Sequence, residues 1–305
     1  MKQSTRAAPI VVDNAFLREW ALPETPTDGD KEVRGHVLIL GGSAEMPGAV
    51  ILAATAALRA GAGKLTIATG ASVAQLVAMA IPEARVIALR ENKEGGFTRD
   101  ATAELNPLAD RVNAILIGPG MQDEPATAAL VRALLPRLDG TSVVLDACAM
   151  GIILNPDLAP QQLPFRFDLP VIVTPHAGEM AHLTGRPKDE VLAEPEHFAA
   201  AAAQEWNAVV ALKGARTLIA SPSGSMWQHE GGNVGLAISG SGDTLAGIIA
   251  GLAARGATLE QAACWGVRLH ARAGEKLAER LGTLGYLARE IPLEIPALMQ
   301  SIARQ

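Results

Sequence analysis

The stretch HVLILGGSAEMPGAVILAATAALRAGAGKLTIAT, residues 36–69, holds two short runs of apolar residues on either side of a longer segment of small and apolar residues. The runs at 36–40 and 64–69 are rich in branched side chains and predict buried strands, and residues 48–60 predict a helix between them. Strands that alternate with helices in this way imply a parallel sheet. The stretch therefore favours an α/β fold.

The same alternation continues along the chain. We predict further strands at 84–89, 114–118, 142–147, 170–174, 208–214 and 217–221. We predict further helices at 71–80, 124–137, 178–184, 196–206, 243–255 and 259–280. No repeat and no break in composition divides this pattern, so we expect a leader at 1–30 and one domain at 31–305. The expected architecture is a three-layer α/β/α sandwich with a mostly parallel central sheet.

Composition and charge argue against several classes of protein. Of 305 residues, 49% are hydrophobic, which is enough to bury a core without disulfides or structural metals. A net charge of −6 and the lack of a dense Lys/Arg run argue against a nucleic-acid partner. The sequence has no evident signal peptide or membrane span, and Cys148 and Cys264 have no CxxC companion. We therefore expect a cytoplasmic protein.

Glycine-containing turns follow three of the predicted strands. They read LGGSAEMPGA at 40–49, GPG at 118–120 and TPHAGE at 174–179. In open α/β sheets, ligands bind beyond the carboxyl ends of the strands. We therefore expect the three turns to share one crevice.

The segment SGSGDTLAG, residues 239–247, combines glycines with one carboxylate. Glycines let the backbone approach a ligand, and the start of a helix presents unpaired N–H groups to an anion. The pattern is typical of a phosphate cradle. Asp243, in the first turn of that helix, can take a proton from a hydroxyl during phosphoryl transfer. The sequence leaves open the alternative that Asp243 is only a helix N-cap.

Five more side chains are candidates for the same chemistry. His176 can hydrogen-bond a substrate and Glu179 can hold a magnesium-bound water, or both can belong to a helix-capping turn. In LKGARTLI, Lys213 can neutralise phosphate and Thr217 can donate a hydroxyl, although an exposed hairpin lysine is the commoner case. Asp146, at a strand end, can lie near a magnesium ion or a substrate hydroxyl, or can cap a turn.

Two motif matches fail. RAGAGK at 59–64 resembles a Walker loop, but Leu58 replaces its first glycine and Leu65 its Ser/Thr, so we expect a helix end at Gly61. GPGMQDEP, at 118–125, lacks the last glycine of the dinucleotide fingerprint. The remaining histidines have no metal-binding setting, and we interpret them as surface or packing residues: His36, His182, His197, His229 and His270.

Seven motifs follow one another along residues 31–281. They are GHVLILGGS with GAVILAATAALRAGAGKLTIAT, IPEARV, LIGPG, VVLDA, TPHAGEMAHLTG, ALKGARTLIASPSG and NVGLAISGSGDTLAGIIAGLAARG. In this order they resemble the motifs of the ADP- or ATP-dependent NAD(P)H-hydrate dehydratases, a family of the ribokinase-like superfamily. The order of all seven is far more specific than any one of them.

The resemblance implies an enzyme that restores NADH or NADPH from the form (NAD(P)HX) hydrated across the C5–C6 bond of the nicotinamide ring. A phosphoryl group from ADP or ATP passes to the C6 hydroxyl, and phosphate is then eliminated. The resemblance implies that Asp243 is the base on that hydroxyl and that Mg²⁺ bridges the phosphates. Implied substrate contacts come from Ala49, Gly120, His176 and Asp243. Implied nucleotide contacts come from Lys213, Gly214, Ala215, Arg216, Thr217, Gly240, Ser241 and Gly242, with Asp146, Glu179 and Asn233 as supporting residues.

The sequence departs from the family pattern at three places. Family members usually read DAD where residues 146–148 read DAC, GPGLG where 118–122 read GPGMQ, and TGGSGD where 238–243 read ISGSGD. We expect Gln122 to narrow the loop near the substrate. We also expect the missing carboxylate at Cys148 to alter contacts with a metal or a hydroxyl.

Two alternatives stay open at this point. A kinase of the same superfamily, acting on a hydroxymethyl-pyrimidine, a hydroxyethyl-thiazole or a sugar, would share the glycine-rich loop and Asp243. A nucleotide-binding sensor descended from the enzyme is the second alternative. The resemblance also implies a homo-oligomer such as a tetramer. A leader of about thirty residues is too short for an epimerase domain, so we expect any epimerase to be a separate chain.

Overall fold

Ten strands form a mixed sheet in the computed structural model, which describes residues 8–24, 30–109, 111–154 and 165–304. The strands are β1 (Ile10–Val11), β2 (His36–Leu40), β3 (Lys64–Gly70), β4 (Arg85–Leu89), β5 (Ala114–Ile117), β6 (Ser142–Leu145), β7 (Val171–Val173), β8 (Ala208–Leu212), β9 (Arg216–Ala220) and β10 (Met226–Glu230). The helices are α1 (Asn14–Glu19), α2 (Pro47–Arg59), α3 (Ala74–Ala80), α4 (Ala101–Ala109), α5 (Glu124–Leu134), α6 (Ala177–Thr184), α7 (Lys188–Ala193), α8 (Pro195–Trp206), α9 (Ser241–Ala254), α10 (Leu259–Leu281) and α11 (Ile291–Arg304).

The sheet is mostly parallel. Its strands lie in the order β1-β10-β9-β8-β7-β6-β5-β2-β3-β4. From β8 to β4 all neighbours are parallel, whereas β9 runs antiparallel to both β8 and β10. At the centre, Leu40 of β2 pairs with Ala68 of β3 and with Ile117 of β5. This topology confirms the predicted α/β class.

Helices cover both faces of the sheet. Val37 and Ile39 of β2 belong to one hydrophobic core, and Leu38 and Leu40 belong to the other, because successive side chains of a strand point to opposite faces. The first core includes buried residues of α2, α9, α10 and α11. The second includes buried residues of α4, α5, α6 and α8. The predicted three-layer sandwich is therefore confirmed.

Helices α2 and α9 touch through their backbones. A Cβ atom added at Gly247 would lie 2.2 Å from the carbonyl oxygen of Ala53, and one added at Gly251 would lie 2.5 Å from that of Ala57. Both distances are shorter than real Cβ contacts, so glycine is required at these positions for the helices to pack this closely. Because α9 also packs on β5 and β6, this contact fixes where the helix begins relative to the strand ends.

The predicted strands are all present, but the sequence pattern does not reveal every element. It misses β1, β10, α1, α4, α7 and α11. Strand β10 carries the polar residues Gln228, His229 and Glu230, which hide its strand pattern. Helices α4 and α11 contain Pro107 and Pro296, and proline usually marks a helix boundary. Helix α9 begins at Ser241, two residues before the predicted start.

Part of the predicted leader packs against the sheet. Ile10 of β1 pairs with Trp227 of β10, and Leu17 of α1 is fully buried. The Trp20 ring stacks on Trp227 with 5.7 Å between their centroids. The described part of the leader therefore belongs to the core, whereas residues 1–7 and 25–29 of it lie outside the described ranges.

The RAGAGK segment ends a helix, as expected. Helix α2 stops at Arg59, and Gly61 has a φ of 100°, a left-handed conformation that suits glycine at a helix end. The segment then leads directly into β3. Within the described ranges, no helix has both the length and the hydropathy needed to cross a bilayer.

We expect Gly247→Ala to lower the free energy of unfolding by about 1 to 3 kcal/mol, because the new methyl group must push the Ala53 backbone away. Gly48→Ala is the matched control in α2, since nothing lies within 4 Å of its added Cβ. Alanine favours a helix over glycine, so this control should not lose stability. Denaturant unfolding of both variants measures the difference, and equal stability would contradict the close helix contact.

Candidate active site

The loops that follow β2, β5, β6 and β7 meet at one edge of the sheet. The Gly42 N–H donates to the Pro119 carbonyl at 2.7 Å, which joins the loops after β2 and β5. Thr174 Oγ1 donates to Asp146 Oδ1 at 2.6 Å, which joins the loops after β7 and β6. These loops surround the carboxyl ends of the parallel strands, where a crevice was expected.

The start of α9 is open to a ligand. Gly240 is the N-cap residue, with a φ of 86°, and no side chain caps the helix. Asp243 lies in the first turn, so the alternative that it is the N-cap is wrong. The first N–H groups of an uncapped helix attract an anion. This geometry agrees with the predicted phosphate cradle of Gly240, Ser241 and Gly242.

Lys213 lies beside this helix start. A Cβ added at Gly242 would be 3.5 Å from Lys213 Nζ. The same Nζ lies 3.3 Å from Asp146 Oδ1 and 3.8 Å from Glu179 Oε2, and the side chain is only 19% exposed. The alternative of an exposed hairpin lysine is therefore wrong. Burial lowers the pKa of Lys213, but the neighbouring carboxylates outweigh that effect and raise it, so the ammonium stays charged.

Asp243 titrates near neutral pH. Burial, and then the negative charge of Asp146, raise the pKa of Asp243 from 3.8 to about 7. The positive charge of Lys213 acts in the opposite direction, and Glu179 adds a smaller upward effect. A carboxylate with a pKa near the working pH is well suited to accept a proton.

Asp146 connects the strand ends to Lys213. The residue is 3% exposed, and its carboxylate accepts the Thr174 hydroxyl and pairs with Lys213. It is the N-cap residue of a short 3₁₀ helix, but its side chain makes no capping hydrogen bond there. Nearby, Cys148 Sγ donates to Thr127 Oγ1 of α5 at 3.6 Å. The thiol at the position of the missing carboxylate thus points to α5.

His176 and Glu179 form a capping box at the start of α6. Nδ1 of His176 accepts the N–H groups of Gly178 and Glu179, at 3.0 and 3.1 Å, and Glu179 Oε2 accepts the His176 N–H at 2.8 Å. The structural alternative is thus present. Because Nδ1 accepts, the neutral ring carries its hydrogen on Nε2. Nε2 lies 3.6 Å from Glu179 Oε2, too far for a hydrogen bond, and the side chain is 59% exposed, so this N–H is accessible to a substrate.

Ala49 and Gly120 lie close together. A Cβ at Gly120 would lie 2.8 Å from the Ala49 Cβ, so the first turn of α2 is in direct contact with the loop after β5. Gln122 Nε2 donates to Glu45 Oε2 at 2.9 Å and bridges the loops after β2 and β5. The side chain of Gln122 therefore ties together two loops of the predicted substrate side.

The turn between β8 and β9 carries the predicted nucleotide-binding run. Gly214 and Ala215 are exposed, and Thr217 Oγ1 donates to the Gly214 carbonyl at 3.4 Å. The Arg216 guanidinium is held by Glu196, at 3.0 Å, and donates to Gln228. Since that side chain is engaged elsewhere, the turn presents mainly its backbone and Lys213 to a ligand.

Asn233 anchors the segment that leads into α9. Its Oδ1 accepts the Gly235 N–H and the Tyr286 hydroxyl, both at 2.9 Å. A Cβ at Gly235 would lie 2.5 Å from the Tyr286 ring, which shows how closely this segment packs. Asn233 is thus a supporting residue of the loop before Gly240.

His270 is a residue of this site that the sequence analysis did not find. Its Nε2 lies 3.0 Å from Ser241 Oγ and 3.1 Å from the Ser241 carbonyl oxygen, so the interpretation as a surface or packing residue is incomplete. The face of α10 that carries His270 is closely packed, since Gly266 and Gly274, four residues to either side, lie tightly against neighbouring side chains, but no local sequence pattern links His270 to Ser241. A polar ring on such a face needs a specific partner.

The family model of the NAD(P)H-hydrate dehydratases matches residues 37–297. The chain is 51% identical to the ADP-dependent (S)-NAD(P)H-hydrate dehydratase of Xanthomonas campestris pv. campestris over 96% of this chain and 97% of that relative.

Two solved structures have the same fold. The crystal structure of a ribokinase-like superfamily protein from Enterococcus faecalis V583 has a TM-score of 0.80 and 26% identity and covers 100% of both chains. The crystal structure of the ADP/ATP-dependent NAD(P)H-hydrate dehydratase from Bacillus subtilis, co-crystallized with ATP/Mg²⁺, has a TM-score of 0.79 and 31% identity, covering 96% of this chain and 98% of that one. The fold is thus ribokinase-like, and the chain belongs to the NAD(P)H-hydrate dehydratase family.

Proposed function

We propose that the chain converts hydrated NADH or NADPH back to the dihydronicotinamide form, with ADP or ATP as the phosphoryl donor. The single observation that carries this proposal is the position of Asp243 in the first turn of α9, next to Gly242, whose added Cβ would lie 3.5 Å from Lys213 Nζ. The named activity of the Xanthomonas relative, at 51% identity, supports the choice of reaction. A hydroxyl that must be phosphorylated before it can leave needs a base beside the phosphate site.

The start of α9 and Lys213 hold the phosphates. The free N–H groups at the uncapped start of α9 can donate to the phosphates of the nucleotide, and Lys213 adds a full positive charge beside Gly242. The turn at 214–217 holds the rest of the nucleotide through its backbone. Ala49 and Gly120 contact the hydrated dinucleotide, and the His176 Nε2–H donates a hydrogen bond to it.

The reaction has two steps. Asp243 takes the proton of the C6 hydroxyl as the hydroxyl oxygen attacks the terminal phosphorus of the nucleotide. A bond from oxygen to phosphorus forms, and the bond from that phosphorus to the rest of the nucleotide breaks, so ADP leaves as AMP. Loss of phosphate from C6 and of a proton from C5 then restores the C5–C6 double bond.

Charges around Asp243 decide whether it is a usable base. Without Lys213, burial and Asp146 would keep the carboxyl protonated to a higher pH, since Lys213 is the group that lowers its pKa. With Lys213 present, the pKa stays near 7 and the proton can be taken and released in the physiological range. Lys213 therefore has two roles: it neutralises phosphate charge, and it lowers the pKa of Asp243.

The donor set suits a magnesium ion held by phosphates. The described residues contain no group of three or more metal-binding side chains, so a protein-only metal cage is absent from them. Glu179 is a partly exposed carboxylate beside Lys213 and can bind a magnesium-bound water. When bound, the ion neutralises charge on the transferring phosphoryl group. Homo-oligomerisation stays a prediction from the resemblance, and a cytoplasmic location and a separate epimerase stay predictions from the sequence.

Asp243→Asn should lower turnover by about 100-fold or more, because asparagine cannot accept the proton. Folding should be intact: a buried carboxyl with a raised pKa costs stability above its ordinary pKa, so the variant should melt no lower at pH 8. Purified protein is incubated with hydrated NADH, magnesium and ADP or ATP in parallel, and the dihydronicotinamide absorbance is followed.

Asp13→Asn is the matched control for that variant, since Asp13 caps α1 and asparagine caps equally well. Full turnover in Asp243→Asn with intact folding would reject Asp243 as the base. Nucleotide consumption without recovery of absorbance in the native protein would instead indicate a kinase that releases its phosphorylated product.

The pH dependence of kcat/KM should show an acid limb near pH 7, because protonated Asp243 is no base. In Asp146→Asn the negative charge that raises this pKa is gone, so the limb should move to lower pH. Glu45→Gln is the control, because Glu45 bonds to Gln122 and is not among the charges that shift Asp243. An unchanged limb in Asp146→Asn would contradict the electrostatic account.

A further inference from the structure

His270 faces the first residue of the phosphate-binding helix. It lies on α10, and its Nε2 is 3.0 Å from Ser241 Oγ and 3.1 Å from the Ser241 carbonyl oxygen. Ser241 is 5% exposed, so this contact is shielded from water. Two residues further along α9 is Asp243. The ring thus touches the helix turn that holds both the predicted cradle and the base.

The two contacts together indicate which ring nitrogen carries the hydrogen. A carbonyl oxygen can only accept a hydrogen bond, so a 3.1 Å contact with the Ser241 carbonyl requires Nε2–H as the donor. Ser241 Oγ, at 3.0 Å from the same nitrogen, is then an acceptor of this N–H as well. This tautomer, assigned from the hydrogen-bond geometry, leaves the hydrogen of the Ser241 hydroxyl directed away from the ring.

We infer that His270 is a positioning residue, which fixes the first turn of α9 through Ser241 and leaves the Ser241 hydroxyl free to donate to a phosphate oxygen of the bound nucleotide. This inference rests on the proposed function. His270 itself does not touch the reacting atoms. It acts by holding a donor in one orientation, and such preorganised donors stabilise charge on a transferring group.

The electrostatics of the ring agree with a donor that stays neutral. Burial, together with the charge of Lys213, lowers the pKa of His270 to about 4, against the opposing effect of the Ser241 contact. A charged ring would place a second cation beside Lys213. A neutral imidazole donates the same hydrogen bond without that repulsion.

Three histidine variants test the inference. In His270→Leu the donor is lost, and kcat should fall about 10- to 100-fold, as expected for a displaced site, while KM for the hydrated dinucleotide changes little. His270→Gln keeps an N–H donor at a similar reach and should recover most of that loss. The matched control is His229→Leu: His229 is buried, bonds a backbone carbonyl, that of Val12, and lies on β10.

Ser241→Ala completes the test. If His270 acts through the Ser241 hydroxyl, Ser241→Ala should lower kcat to a similar extent, and the double variant with His270→Leu should lose little more. Additive losses, or a kcat in His270→Leu equal to that in His229→Leu, would overturn the inference. If His270→Leu does not fold, His270→Gln and Ser241→Ala decide, because full turnover in Ser241→Ala overturns it as well.

ADP binding separates this inference from the proposed function. Calorimetric titration of ADP should give a dissociation constant about 5-fold weaker in His270→Leu than in His229→Leu, as for one lost hydrogen bond. If native protein binds ADP but never restores the dihydronicotinamide absorbance, the proposed function is rejected. The comparison of ADP affinities in the two histidine variants then still tests the role of His270. Equal ADP affinity in the two variants would count against His270.

Discussion

The backbone contact between α2 and α9 is the constraint on which the site depends. Gly247 and Gly251 allow α9 to lie directly on the backbone of Ala53 and Ala57, closer than any side chain at those positions would permit. Helix α9 is therefore placed by backbone atoms, which vary little in position, rather than by flexible side chains. Its first turn, with Gly242 and Asp243, projects beyond the same strand ends that carry Asp146 and Lys213. A small sliding of the helix would separate Asp243 from the charges that shift its pKa.

The second organising feature is an imbalance of charge. Asp146, Glu179 and Asp243 surround one lysine. Lys213 therefore remains charged despite its burial, while the pKa of Asp243 is raised to about 7. Taken alone, the cluster has an excess of negative charge. A bound nucleotide would add to this negative charge, unless its phosphates lie against the start of α9 and a divalent cation accompanies them. The protein thus provides the positions, and the bound ligand completes the balance of charge.

Much of this could be predicted from the sequence, because the strands are short apolar runs and the glycine-rich turns fall at their ends. The role of Asp243 as a candidate base also follows from its local sequence, since a carboxylate after two glycines at a helix start is a local pattern. The network around it does not follow, since Lys213 meets Asp146 only through the order of strands in the sheet. His270 lies on a different helix from Ser241 and shares no motif with it. Such contacts depend on how α10 packs against α9, and no local pattern contains that information.

The described part of the leader also covers one edge of the sheet. Strand β1 pairs with β10 for only two residues, yet it lies on the outer side of a strand whose edge would otherwise present unpaired N–H and C=O groups. A chain cut just before α1 would expose that edge, and exposed edges attract other strands. Helix α1, with Leu17 buried, clamps the short strand in place. Strand β1 and helix α1 therefore protect this fold against association through its sheet, a task separate from catalysis.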